Sequence, residues 1–388
     1  MQKAIIAFNA GSSSIKFSIF SKINSNILFY GGVEDMLRSP MIWIKDSVNK
    51  EVLNNKTIKS GHLGAIEFLI NWIESLSNAI DIIAIGHRIV HGGRDFAKAV
   101  IIDKKILNQL KTLIPLAPLH QENNIKIIEI FSDLRPNLPQ IACFDTSFHQ
   151  TIEEEKRLFA LPKKFSEEGI VRYGFHGISY EYIASILPKY AKENANKRVI
   201  IAHLGNGASM CAMKDLKSVA TTMGFSVLDG LMMGTRCGSI DPGVILYLLE
   251  EKNMSAKEIS KLLYEESGLK GVSGISHDIR DLIASNNLEA KKAINMFCDS
   301  AAKQLSGLLS AINGLDVLVF TAGIGENCPI IRKNICDKLS WLGIEIYDEA
   351  NDSNQTKIST NKSKVEVYVL PTNEEKIIAQ KIIEENDK

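Results

Sequence analysis

Arg88 stands between two histidines in the run GHRIVHGG, residues 86–93, directly after the apolar stretch IIAI. A guanidinium is a permanent cation whose N–H groups clamp a carboxylate or phosphate through two parallel hydrogen bonds. Arg88 is therefore a candidate anion holder, and a structural salt bridge is the alternative. His87 and His91 lie four apart, the spacing of a metal pair on a helix, but Ile89-Val90 and the double glycine describe a strand end and a turn. Asp145 follows Ile-Ala-Cys-Phe in CFDTSFHQ (143–150). A carboxylate there orients a cation or a metal-bound water, or it caps the next turn. In RYGFHG (172–177), His176 is set to donate to a phosphoryl oxygen or to pack. Arg236 and Asp241 occupy GLMMGTRCGSIDPG (230–243), a loop too rich in glycine for a core element, whose methionines read as packing.

Three glycine loops add phosphate chemistry. NAGSSS (9–14) combines a glycine with Ser12, Ser13 and Ser14, and Lys16 follows. Such a turn aims several N–H groups and hydroxyls at one anion with no side chain blocking the approach. The other reading is a hairpin whose serines cap their own backbone. The pattern GxxxxGK[ST] is absent, so the loop is not a P-loop. HLGNG (203–207) is also ambiguous alone, because Asn-Gly is the commonest hairpin signal. In TAGIGEN (321–327), glycines at 323 and 325 after an apolar strand allow close approach of a base or ribose. Together the three loops favour a nucleotide bound between two domains.

The elements that must carry these groups alternate between strand and helix. Residues 4–8 (AIIAF) and the alternation Ile15, Phe17, Ile19 read as two strands joined by the NAGSSS turn. RVIIAHLGNGASMCAM (198–213) repeats that shape, so one supersecondary design is expected twice, once per domain. LDVLVFTAGIGEN (315–327) runs from an apolar strand towards a helix. Helical periods occupy residues 63–76, 242–264 and 287–312, while the polar stretch 351–364 reads as a surface loop. The fold class is α/β.

A chain of 388 residues argues for about two domains. With 45 basic and 45 acidic residues the formal charge is zero, so no long-range field favours nucleic acid or an anionic membrane. The opening apolar run is too short for a signal-peptide core or a membrane span, and a cytoplasmic location is expected. Six scattered cysteines with no CxxC pair suit reduced, buried thiols.

In order along the chain, NAGSSSIKF, GHRIVHGG, PLAPLH, FDTSFHQ, RYGFHG, HLGNG, GLMMGTRCGSIDPG, TAGIGEN and PTNEE run from residue 9 to residue 375. On these motifs the chain resembles the acetokinase family, within the acetate and sugar kinase/Hsp70/actin superfamily. The resemblance implies two ribonuclease-H-like (actin-like ATPase) domains with an active-site cleft between them, and a homodimer. It implies reversible Mg2+-dependent transfer of the ATP γ-phosphoryl group to acetate, giving acetyl phosphate and ADP, with Mn2+ a possible substitute metal. The first domain would comprise residues 1–150 plus about 374–388 and hold acyl substrate and phosphate; residues 151–373 would bind nucleotide and dimerise. Carried over by motif, Asn9 and Glu374 would hold the metal, and Ser12, Ser14 and Lys16 would form the first phosphate loop. Arg88 and Arg236 would flank the transferring group, with Asp145 and His176 completing the catalytic set. His203, Gly205, Asn206 and Gly207 would form the second phosphate loop. Asp278, Ile279 and Arg280 with Gly323, Ile324, Gly325, Glu326 and Asn327 would hold adenosine.

Val90, Leu119, Phe175 and Val227 match the family's pocket for the substrate methyl, but Val227 replaces the usual proline. One methylene is worth about 1–3 kcal/mol in such a pocket. A propionate or other short-chain acyl kinase is therefore the near alternative. Gln121-Glu122 and Ser239 also depart from the family pattern. A nucleotide-dependent switch or scaffold of the actin and Hsp70 type is the alternative of another class, and it has no need of Arg88, Arg236 and His176 beside a γ-phosphate.

Overall fold

The computed structural model describes residues 1–10, 14–34, 40–76 and 79–386, and among these the side chain of Leu119 lies outside the description. The chain divides into two units, Met1–Ser147 with Asn373–Lys388, and Phe148–Thr372. Both are mixed α/β.

The first unit is built on β1 (Gln2–Ala10), β2 (Ile15–Ser21), β3 (Ile27–Glu34), β4 (Met41–Asp46), β5 (Glu51–Thr57), β6 (Ile80–Ile89), β7 (Val100–Ile101) and β8 (Gln140–Phe144). Their order in the sheet is β5-β4-β3-β2-β1-β6-β8-β7. β1 through β5 pair antiparallel in sequence, whereas β6 lies parallel to β1 and β8 parallel to β6. In β1 the run Ala4 to Phe8 is buried on both faces, as a strand covered from two sides requires. Ile6 and Phe8 face helices Gly61–Ser75 and Pro118–Leu134 through Ile66, Leu69, Ile127 and Phe131. The last helix, Glu374–Asn386, packs on β1 and β6. Gly86 permits this, because a Cβ there would lie 2.5 Å from Ile378 Cγ2 and 2.7 Å from Ile382 Cδ1.

The second unit repeats the plan with β9 (Val199–Leu204), β10 (Ala208–Lys214), β11 (Lys217–Thr221), β12 (Val317–Thr321) and β13 (Glu366–Val369), in the order β11-β10-β9-β12-β13. The first three are antiparallel and the last two join in parallel. The series β3-β2-β1-β6-β8 has the same order and the same senses, so the design expected twice does occur once in each unit. Tyr180 and Ile183 of helix Gly177–Ile186 pack on Val199, Ile201 and Val319, while helix Leu288–Ile312 lies against β10 and β11.

Two expectations change. Residues 242–264 form two helices, Pro242–Glu250 and Ala256–Glu265, because Asn253 turns left-handed (φ 51°) and Ser255 with Glu258 makes a reciprocal cap that starts the second. The polar stretch 351–364 is not simply a surface loop: Asn351 and Ile358 are buried, and Ser359 bridges to Ile346. All six cysteines are free, and burial pushes the thiols of Cys211, Cys298 and Cys336 up to about 12.

Candidate active site

In the first unit, three neighbouring strand ends bring chemistry together. Asn9 lies near the end of β1, Arg88 near the end of β6, and Asp145 directly after β8. Their carboxyl ends coincide because β1, β6 and β8 run parallel, the side on which open α/β sheets bind ligands. Arg88 Nε donates to both Asp145 oxygens at 3.0 Å, and Nη2 donates to Oδ2 at 2.5 Å. Arg88 Nη1 donates to Asn9 Oδ1 at 3.0 Å, and Asn9 Nδ2 donates to Glu374 Oε2 at 2.7 Å. Glu374, the first residue of the last helix, places Oε2 3.8 Å from Arg88 Nε. Three of the five guanidinium N–H groups are thereby engaged by oxygen, while the side chain keeps 19% of its surface exposed.

Burial opposes the charge on Arg88, but Asp145 and Glu374 outweigh it and hold the guanidinium well above its ordinary value. Burial raises the Asp145 carboxyl, and Arg88 pulls it back. With a permanent cation donating to both oxygens, Asp145 is an orienting anion for Arg88. Glu375 is raised by burial and by the charge of Glu374, against the pull of Lys16 and Arg88. Lys16, exposed on β2, is the register partner of Asn9.

His87 and His91 serve packing. His87 stacks on Phe8 and its Nε2 meets Gln140 Oε1 at 2.8 Å, while His91 Nδ1 accepts from the Gly93 amide at 2.9 Å. Burial lowers both to about 4, so both are neutral at pH 7.

In the second unit, His176 caps helix Gly177–Ile186 from a left-handed conformation (φ 58°) and stacks on His203 with ring centres 4.2 Å apart. Its Nδ1 meets Ser209 Oγ at 2.8 Å, and Ser209 Oγ lies 2.5 Å from the buried Tyr180 hydroxyl. A phenol is the stronger donor, so the chain runs Tyr180 to Ser209 to Nδ1, leaving the hydrogen on Nε2. That atom faces Gly207: a Cβ there would stand 3.4 Å from His176 Nε2 and 3.6 Å from Arg236 Nη1. Glycine at 207 keeps the space beside both donors open. Arg236 Nη1 also donates to the Val227 carbonyl at 3.1 Å.

A cavity of about 510 Å³ opens in the same unit, lined by Gly205, Asn206, Asp278, Ile279, Arg280, Gly323, Ile324 and Asn327, with His277 and Cys328. Asp278 caps helix Ile279–Ala284 through the Arg280 amide, and hydrogen bonds from the Arg280 side chain hold its carboxyl at about 2. The volume falls within the range of small-ligand sites.

A model described as the acetokinase family matches residues 4–380. The chain belongs to this family. It is 46% identical to an acetate kinase of Rickettsia akari over 99% of each chain. Among solved structures it resembles a propionate kinase of Francisella tularensis, at 37% identity and TM-score 0.91 over 98% of each chain. A Porphyromonas gingivalis acetate kinase matches at 35% identity and TM-score 0.85, covering 97% of this chain and 98% of that one. The two-domain actin-like ATPase fold of these acetokinases is the fold of this chain.

Of the residues singled out by motif, Asn9, Arg88, Asp145 and Glu374 form one hydrogen-bonded cluster within the first unit. His176, His203, Gly207 and Arg236 adjoin one another in the second. Val90 is buried in the first unit, and Phe175 and Val227 are buried in the second. Ser12 lies outside the described residues, as does the side chain of Leu119; Ser14 directly precedes β2. Gly325 and Glu326 do not line the cavity: the Glu326 carboxylate turns inward to accept from Ala322 N at 2.7 Å, Thr372 N at 3.0 Å and Thr321 Oγ1 at 3.3 Å.

Two departures from the acetokinase pattern acquire a physical account. The buried Gln121 amide accepts from the His91 N–H at 3.2 Å and donates to the His91 carbonyl at 3.1 Å, taking the place of a neighbouring strand just beyond β6. Ser239 Oγ donates to Asp229 at 2.7 Å and accepts from the Gly230 amide at 3.1 Å, tying the Arg236 loop to its own start. Sequence reasoning missed Tyr180 and Ser209, since a buried hydroxyl has no spacing signature.

Proposed function

We propose that this chain catalyses reversible transfer of the γ-phosphoryl group of ATP to acetate, giving acetyl phosphate and ADP, with Mg2+ as the metal and Mn2+ able to replace it. The observation that carries the reading is Arg88, fixed by Asp145 and Asn9 yet partly exposed with further N–H groups to offer an anion. A carboxylic acid is ionised at neutral pH, so an acetate oxygen attacks the γ-phosphorus directly and no general base is needed. The new P–O bond forms as the bond to the β-phosphate oxygen breaks, and ADP leaves with that electron pair. Charge spreads over the three equatorial oxygens in the loose transition state, and the protein's task is to position and neutralise it. Arg88, Arg236 and the Nε2 hydrogen of His176 do this. Lys16, Ser12, Ser14 and the His203–Gly207 loop hold phosphates, and the 510 Å³ cavity takes adenosine.

The donor chemistry suits a hard cation. Glu374 offers a carboxylate and the neighbouring Asn9 an amide oxygen, which here accepts from Arg88 while its Nδ2 donates to Glu374, and Mg2+ needs only one or two such oxygen ligands beside phosphate oxygens and water. When bound, the metal neutralises phosphate charge. Val90, Leu119, Phe175 and Val227 wall the methyl group. The resemblance to the Francisella propionate kinase, with Val227 in place of proline, keeps propionate as the second acyl substrate to test. We also infer a homodimer in the cytoplasm. Helix Pro242–Glu250 is rich in apolar residues yet buries none of them, and Leu246 and Tyr247 are more than half exposed, a face that a second copy would cover. Among the described residues no helix is long and apolar enough to cross a membrane.

The test is ADP release with Mg-ATP and acetate, propionate or neither, trapping acyl phosphate as hydroxamate. Acetate-dependent turnover with trapped product supports the reading. ATP turnover indifferent to either acid, with nothing trapped, refutes it in favour of a nucleotide-driven switch.

A further inference from the structure

Glu326 lies in the loop assigned to adenosine, but its geometry serves another purpose. All three of its hydrogen bonds end on one oxygen, Oε1, from Ala322 N, Thr321 Oγ1 and Thr372 N. Ala322 has φ +65°, a left-handed conformation that a residue with a Cβ disfavours, and it makes the sharp passage from β12 into the short helix Ala322–Asn327. The Glu326 carboxylate holds that turn from one end. The other end is held by Arg332, fully buried, whose Nη1 donates to the carbonyls of Gly325 and Glu326 at 2.9 Å each. Gly323, Ile324 and Asn327 of the same short helix line the cavity.

Thr372 carries the contact further. Its hydroxyl meets Ser179 Oγ at 2.8 Å, and Ser179 Oγ meets His203 Nδ1 at 2.8 Å. His203 stacks on His176. A continuous set of hydrogen bonds thus joins the wall of the cavity to the two stacked rings.

We propose that Glu326 is a positioning residue, a latch whose Oε1 ties the cavity-lining helix Ala322–Asn327 to Thr372 and thereby to Ser179 and His203. Nucleotide held by that helix and the imidazoles that meet phosphate are set by the same carboxylate. This rests on the functional reading above, so the test has an arm that needs no phosphoryl transfer.

In that arm the full-length chain is titrated with a fluorescent N-methylanthraniloyl ADP. Glu326→Ala is expected to weaken binding at least about tenfold. Glu326→Gln keeps an oxygen acceptor in place and stays within about threefold of the parent, because the latch uses one oxygen and needs no charge. Thr372→Val removes only the hydroxyl link, so it lowers kcat about tenfold while leaving ADP affinity within about twofold. In the second arm, hydroxamate assays of Glu326→Ala, Thr372→Val and the double variant form a cycle. A shared latch makes the double variant's kcat loss match the larger single loss, whereas independent contributions multiply. Glu326→Gln as weak as Glu326→Ala, or a multiplicative double variant, overturns the latch. A parent chain that binds the ADP probe but yields no acyl phosphate removes the kinase reading, and the affinity comparison of the Ala and Gln variants still decides the latch.

Discussion

Asp145→Asn keeps the shape of the side chain and removes its charge, which makes it a sharp probe of the Arg88 cluster. In the parent, Asp145 Oδ2 accepts from Nε and Nη2 of Arg88 and Oδ1 accepts from Nε. An asparagine amide must place its NH2 group at one of these positions, facing an N–H, so one acceptor becomes a repelling donor. Arg88 then has one close anion left, Glu374, whose Oε2 lies 3.8 Å from Nε. Closing that gap to about 2.8 Å, the usual ion-pair separation, gains ~1.5 kcal/mol at an effective dielectric constant of about 20. Glu374 is the proposed metal ligand, so Mg2+ has to displace a tighter guanidinium. At 1.36 kcal/mol per decade, the Mg2+ concentration for half-maximal rate should rise about tenfold. The assay is initial rate against free Mg2+ at saturating ATP and acetate, with the parent alongside. A half-saturating Mg2+ concentration within twofold of the parent would refute the reasoning, even if kcat fell.

Arg236→Ala should lower kcat about 10³-fold, the low end for an arginine that stabilises phosphoryl transfer; steady-state rates with a loss below tenfold would remove it from that role. Val227 is buried, and Val227→Ala should raise the propionate-to-acetate ratio of kcat/KM by about tenfold, within the 1–3 kcal/mol expected of one methylene. A ratio unchanged within twofold would take Val227 out of the methyl pocket. His87, His91 and His149 are held near 4 by burial, against 6.5 when unfolded, so between those values the unfolded chain binds more protons and stability falls as pH drops from about 6.5 to about 4. Urea midpoints across that window should fall less steeply in His149→Gln than in the parent, and equal slopes would show that this ring contributes nothing.

The backbone plan was legible where burial imposes a period. The run AIIAF and the alternation after residue 15 gave β1 and β2, and the same pattern near residue 200 gave β9 and β10, because a strand covered on both faces must be apolar throughout. The long period over 287–312 is one helix of the second unit. The cluster around Arg88 was legible only through family motifs. Asn9 and Glu374 are 365 residues apart, and no local pattern links them. Glu326 shows the opposite limit. A carboxylate that caps its own helix and one that meets a ribose look alike in sequence, and only the direction of Oε1 separates them. Gln121 was visible as an anomaly without a cause until its amide was found beside both backbone groups of His91.

The last helix has a consequence for how the protein is made. Glu374–Asn386 packs on β1 and β6, and Gly86 leaves room for Ile378 and Ile382 against the sheet. A ribosome therefore releases most of the first unit long before the helix that finishes its core. The second unit, one unbroken stretch from Phe148 to Thr372, is complete earlier. The usual vectorial order, in which the leading domain matures first, is reversed here. The same helix delivers Glu374, so the proposed metal ligand reaches the first unit only after the whole second unit has been made.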